Sequence, residues 1–170
     1  AILRRRRATR HLTVPIASAL VADRDRYFAA LNDYRAGTAR TLIEMLAAAT
    51  RISTAESWRS VVDLGRIRDA WAAAAGNPAP GTPDYRLLDL LVEEPIVNVE
   101  LATRRLRIDE HDVAAAIPRL VAAGVLKQAP RSRRQPLWLA HDVLDEVEDL
   151  SQRVRTRARR PAPEHRDEPV

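Results

Sequence analysis

Residues 99–126 read VELATRRLRIDEHDVAAAIPRLVAAGVL. Asn98, just before them, has a short side-chain oxygen able to accept a hydrogen bond from the first exposed amides of a helix. Leu101, Ala102 and Leu106 then fall on one side of that helix. Arg107-Ile108-Asp109 forms a turn, and Asp109 supplies a second cap. Beyond it, Val113, Ile117, Leu120 and Val121 form the inner face of a second helix, which Gly124 ends by accepting the left-handed backbone conformation that other residues resist. Two helices joined by so short a turn make a helix-turn-helix.

Working outward, Tyr85–Glu93 is apolar at Leu87, Leu88, Leu90, Leu91 and Val92 and stops before Pro95, so it reads as a preceding helix. Ile96 and Val97 suit a short strand. After Gly124, VLKQA (125–129) and PLWLA (136–140) are strand-like runs on either side of PRSRRQ (130–135). Three helices followed by a hairpin with a basic tip follow the winged-helix plan, spanning residues 84–140.

In such a module the outward residues of the third helix meet base edges in the major groove. Here they are Glu110, His111, Ala114, Ala115, Pro118 and Arg119. His111 is the plausible base donor, Glu110 repels phosphate, and Pro118 removes a helical hydrogen bond and predicts a kink. The hairpin offers more, because Lys127, Arg131, Arg133 and Arg134 cluster on it. The candidate nucleic-acid-binding residues are therefore Lys127, Arg131, Arg133, Arg134, His111 and Arg119. Four phosphate contacts imply a log–log salt slope of roughly −3.6, with little sequence information. The other reading of the same residues is a packing or protein-contact module with a solvated wing.

The segment GNPAPGTPD (76–84) is too rich in Pro and Gly to be helical, and residues 76–83 read as a linker. Residues 1–75, upstream of it, are helical in pattern. Residues 1–12 read as a helix end, whose run Arg4–Arg7 either frays into solvent or meets an acidic surface or a phosphate. Ile16, Leu20, Tyr27, Leu31 and Tyr34 form one stripe of a helix closed by Gly37. Thr38 caps a further helix whose apolar members Leu42, Ile43, Leu46 and Ile52 lead on to Trp58, Val61, Val62, Leu64, Ile67 and Trp71. Ser53 or Thr54, followed by Glu56 or Ser57, marks an expected break and new cap. Downstream, residues 141–152 read as a helix with a solvated or partner-facing acidic side, and residues 153–170, poor in apolar side chains, as a disordered tail.

Bulk composition narrows the function classes. The chain has 170 residues, no Cys, a net charge of +5 and a sequence pI near 10.5. Disulfides and thiolate chemistry are excluded. No apolar run reaches the ~20 residues of a membrane span, and a cytoplasmic location without membrane partners is expected. Lys127 is the sole lysine among 28 basic residues, so the position of the charge says more than its total. Phosphate-binding glycine motifs and nucleophile elbows are absent. The four His, at 11, 111, 141 and 165, are too scattered for a local metal motif.

The order of parts resembles the C-terminal half of Fic-family proteins. VPIAS (14–18), DRDRYFAALNDYRAG (23–37), the long helix to residue 75 and the module at 84–140 carry the resemblance across about 150 residues. It implies a mainly α fold: a helical Fic-like rear scaffold followed by a winged helix-turn-helix module. Members of the family transfer AMP to protein hydroxyls through the signature H-x-F-x-[DE]-G-N-G-R-x-x-R. None of the four His here is followed by that signature, so no catalytic residue is carried over. The first residue is not Met, and the reading is of a fragment or processed chain with the signature just upstream of Ala1. ATP and Mg are then cofactors of the longer protein, and none is expected in this chain. The expected function is that of a non-catalytic C-terminal segment with a regulatory or weakly DNA-binding winged helix. Its partners would be double-stranded DNA at the wing, and a protein or a second copy at the helical half. The alternative is a stand-alone winged-helix transcriptional regulator with a helical dimerisation domain.

Overall fold

The structure is a computed structural model that describes residues 14–130 and 135–159. The expectations for residues 1–12 and for the end of the chain beyond Arg159 lie outside the described residues. The chain is mainly helical, with one small three-stranded sheet. Its described residues divide into two compact units, one of 14–59 together with 149–159, the other within 60–148. The division therefore falls within a helix and not at the 76–83 loop.

The first unit opens with α1 (Ile16–Leu20), a 3₁₀ turn (Val21–Asp23) and α2 (Arg24–Arg35). The sequence predicts one continuous helix here. Asp23 interrupts it, because its carboxylate accepts the Arg26 amide at 3.1 Å and caps a new helix. Gly37, at φ +97°, closes α2 as expected. The stripe is less buried than its spacing suggests: Ala19 and Ala30 are the buried residues, whereas Tyr34 is exposed.

α3 runs from Arg40 to Ala74 without the break expected at Ser53 and Thr54. Ser53 is fully buried and its hydroxyl donates to the Pro15 carbonyl at 3.3 Å, so it serves a tertiary contact and not a cap. The apolar stripe holds only in part: Ile52, Leu64, Ile67 and Trp71 pack inward. Ile43, Leu46, Trp58, Val61 and Val62 are exposed, while Ala49, Ser53, Glu56, Ser57 and Ser60 are buried.

α7 (His141–Arg159) passes the end expected at residue 152, because Val154 is fully buried and Ala158 continues the same face. Ala19, Ala49, Leu150 and Val154 form the small core of the first unit. Beside it Glu56 accepts from Arg157 at 2.8 Å and faces Arg153 at 3.4 Å, which gives its buried carboxylate two cations.

The second unit holds the larger core. α4 (Pro83–Glu93), β1 (Ile96–Val97), α5 (Val99–Leu106), α6 (Glu110–Ala122), β2 (Lys127–Gln128) and β3 (Trp138–Leu139) follow in order. Thr82 caps α4 through the Tyr85 amide, and Pro83 occupies the first turn, where its missing N–H costs nothing. Leu87, Leu88, Leu91, Val97, Val113 and Leu120 are fully buried together. Trp71 joins them from α3 and donates its indole N–H to Asp142 at 2.8 Å.

β3 lies between β1 and β2 and is antiparallel to both, with Ile96 opposite Leu139 and Lys127 opposite Leu139 on the other side. The acidic side of α7 is not wholly solvated. Glu146 is buried and accepts from the Ser60 hydroxyl, and Asp142 receives Trp71.

Asn98 and Asp109 cap α5 and α6 as expected, accepting from the amides of Leu101 and His111 at 2.7 Å each. The turn between them is made by Arg107 in the left-handed region, φ 53° and ψ 49°. A residue with a Cβ pays about 1–2 kcal/mol there, part of which Gly returns through its freer unfolded chain. Arg107→Gly is expected to stabilise the protein by about 0.5–1 kcal/mol, seen as a higher urea midpoint with an unchanged m-value.

Candidate nucleic-acid interface

The six candidate residues do not form one surface of free cations. Arg131, Arg133 and Arg134 lie outside the described residues. Lys127 is exposed on β2, where the hairpin begins. His111 is exposed in the first turn of α6, beside the exposed acids Glu110 and Asp112. These acids, with the cap Asp109, suit the positive end of the helix dipole. The same placement puts three carboxylates where a recognition helix would approach phosphate.

Arg119 is engaged elsewhere. Its Nε and Nη2 donate to the two carboxylate oxygens of Asp84 at 2.9 and 2.6 Å, and its Nη1 donates to the Ala115 carbonyl at 2.8 Å. The bidentate geometry is the strongest form of this pair. The hydrogen bond to Asp84 holds the Arg119 guanidinium above its ordinary pKa, against a smaller opposing effect of desolvation. With Arg119 half-exposed, the pair contributes at most about 1 kcal/mol to stability. Its larger consequence is positional, since Asp84 and the Ala115 carbonyl fix where the guanidinium sits. α6 itself continues through Pro118 to Ala122 as one helix.

Other cations of the unit follow the same rule. Arg68 donates to Asp89 at 2.9 Å and stacks over the Tyr85 ring, 4.5 Å from its centroid. Arg105 faces Glu94 at 3.1 Å and Glu93 at 3.8 Å, Arg104 faces Glu100 at 3.6 Å, and Arg86 donates to the Leu106 carbonyl. Arg107, exposed at the turn before α6, is a cation the candidate set omitted. Its only sequence signal was its place between two capped helices. Asp84, which decides the fate of Arg119, carried none, since the two are 35 residues apart.

Among the described residues no cluster of His, Asp and Glu is arranged to hold a metal ion, and no helix is long and apolar enough to cross a membrane. No family model and no curated protein matches the chain.

Proposed function

We propose that residues 84–140 are a winged helix-turn-helix module that contacts double-stranded DNA weakly, through charge at its hairpin, and does not read base sequence. The observation that carries this reading is the state of α6: carboxylates lead the helix and Asp84 holds its one arginine. Lys127, Arg131, Arg133 and Arg134 are then the duplex contacts, with Arg107 as an added phosphate neighbour. The order of elements supports the module: a helix, a strand, two capped helices and a hairpin, with β3 between β1 and β2.

The wider setting we propose is a regulatory, non-catalytic segment of a Fic-like AMP transferase. The succession of α2, the Gly37 turn, the 35-residue α3 and the later module supports it. A form carrying the family signature is expected to transfer labelled AMP from ATP and Mg to protein, and this chain alone to transfer none. The second reading, a stand-alone regulator that dimerises through its helical half, is favoured by the exposed apolar face of α3.

Substitutions on α6 test the reading of the module. A side chain that reads bases costs about 1–3 kcal/mol of discrimination when removed, or roughly 5- to 150-fold in affinity. Arg119→Ala and His111→Ala are instead expected to leave duplex affinity within about twofold in fluorescence anisotropy. Asp84→Ala, which releases Arg119, is expected to tighten binding and steepen the salt slope by about 0.9. A tenfold loss on Arg119→Ala would show that α6 does reach the duplex.

A further inference from the structure

The outward apolar stripe of α3 has no partner among the described residues. Trp58 is 68% exposed and Ile43 62%, values far from those of a core. At about 100° per residue, Ile43 and Val61 fall at one azimuth, five turns apart, and Thr50 and Thr54 lie within roughly 20° of it. Leu46 and Trp58 flank this line, and all six are exposed. The stripe belongs to one helix and runs about 27 Å along it.

Its spacing is self-complementary. Measured from Ile52, Thr50 and Thr54 are equidistant, as are Leu46 and Trp58, and Ile43 and Val61. An antiparallel second copy, turned about a two-fold axis at the level of Ile52, therefore meets apolar residues with apolar ones and threonine with threonine. Such an interface is isologous, the same patch on both sides, as a closed dimer requires.

The area is also of the needed size. The fractions exposed on Ile43, Leu46, Trp58, Val61 and Val62 leave roughly 500 Å² of side-chain surface, beyond what isolated surface hydrophobics need explaining. With Ala47, Thr50, Thr54 and Gly65 between them, the face approaches the ~800 Å² per partner of a standard interface. Glu44 and Arg51 stand at the rim of the stripe, where long charged side chains keep their heads in water while their stems cover apolar surface.

We propose that this face of α3 is a homodimer interface, occupied by the same face of a second copy in antiparallel register. The chain has no cysteine of its own, so engineered thiols report the register cleanly. An equimolar mixture of Ile43→Cys and Val61→Cys proteins is expected to form the mixed disulfide rapidly, and either protein alone to form little. In each homodimer the two thiols would stand about 27 Å apart along the axis, far beyond the reach of a disulfide.

In sedimentation equilibrium the unmodified protein is expected to be dimeric at micromolar concentration. Trp58→Glu is expected to weaken the dimer at least about tenfold, as removal of a central aromatic anchor does, with unchanged helical circular dichroism because the residue is exposed. A monomer across the whole concentration range would overturn the proposal. So would rapid self-linking of Ile43→Cys alone, the mark of a parallel pair, or a Trp58→Glu dimer of undiminished strength, which would place the contact elsewhere.

Discussion

Replacing Lys127, Arg131, Arg133 and Arg134 together by Ala is expected to abolish duplex binding at physiological salt. The parent should lose about a hundredfold in affinity between 50 and 200 mM salt, the change that four phosphate contacts imply, and the quadruple variant should lose most of that salt dependence. The effect should be uniform across unrelated duplexes, since phosphates carry no sequence. Circular dichroism should not change, because Lys127 is exposed on a strand whose packing partner is the backbone ladder with β3. Electrophoretic or anisotropy titrations in 50 and 200 mM salt measure both the affinity and its slope. A quadruple variant that binds as tightly as the parent would mean that the contact lies on another surface, Arg107 and α5 being the nearest source of positive charge.

Trp71→Ala should have the largest effect on stability, a loss of about 3–5 kcal/mol. Trp71 is 3% exposed, packs into the core of the second unit and donates to Asp142. Truncation removes both the packing and the hydrogen bond. Trp71→Phe keeps one ring but loses the pyrrole part and the donor, and Asp142, itself exposed, turns to water, so about 1–2 kcal/mol should be lost. Urea unfolding followed by circular dichroism gives both values. Equal costs for the two variants would place the weight of this contact on the hydrogen bond and not on burial.

The elements legible from sequence were those fixed by local chemistry. Asn98, Asp109 and Gly124 announce helix ends within three or four residues, and each is found where its cap geometry requires. The strands at Ile96–Val97 and Trp138–Leu139 follow from β-branched and aromatic residues placed between turn residues. What was not legible depends on partners far along the chain. In α3 the apolar residues suggested an inward face through Trp58, Val61 and Val62. Between residues 53 and 60 the inward residues are small or polar: Ser53 meets Pro15, Glu56 meets Arg157 and Ser60 meets Glu146. Hydrophobic periodicity cannot reveal a buried carboxylate whose cation comes from 101 residues away.

The candidate site shows the same division. His111 and Lys127 are both exposed. Arg119 also lies outward, where its ion pair with Asp84 engages it. Asp109, Glu110 and Asp112 stand within four residues at the start of α6. Their capping and dipole roles explain why they stand there without any appeal to a ligand.

The salt dependence of duplex affinity, measured on two unrelated sequences of equal length, tests the central claim most directly. Binding through charge at the hairpin predicts a log–log slope of roughly −3.6 and superimposable lines for both duplexes. A shallow slope together with a preference of about a thousandfold for one sequence, the signature of specific readout, would contradict it.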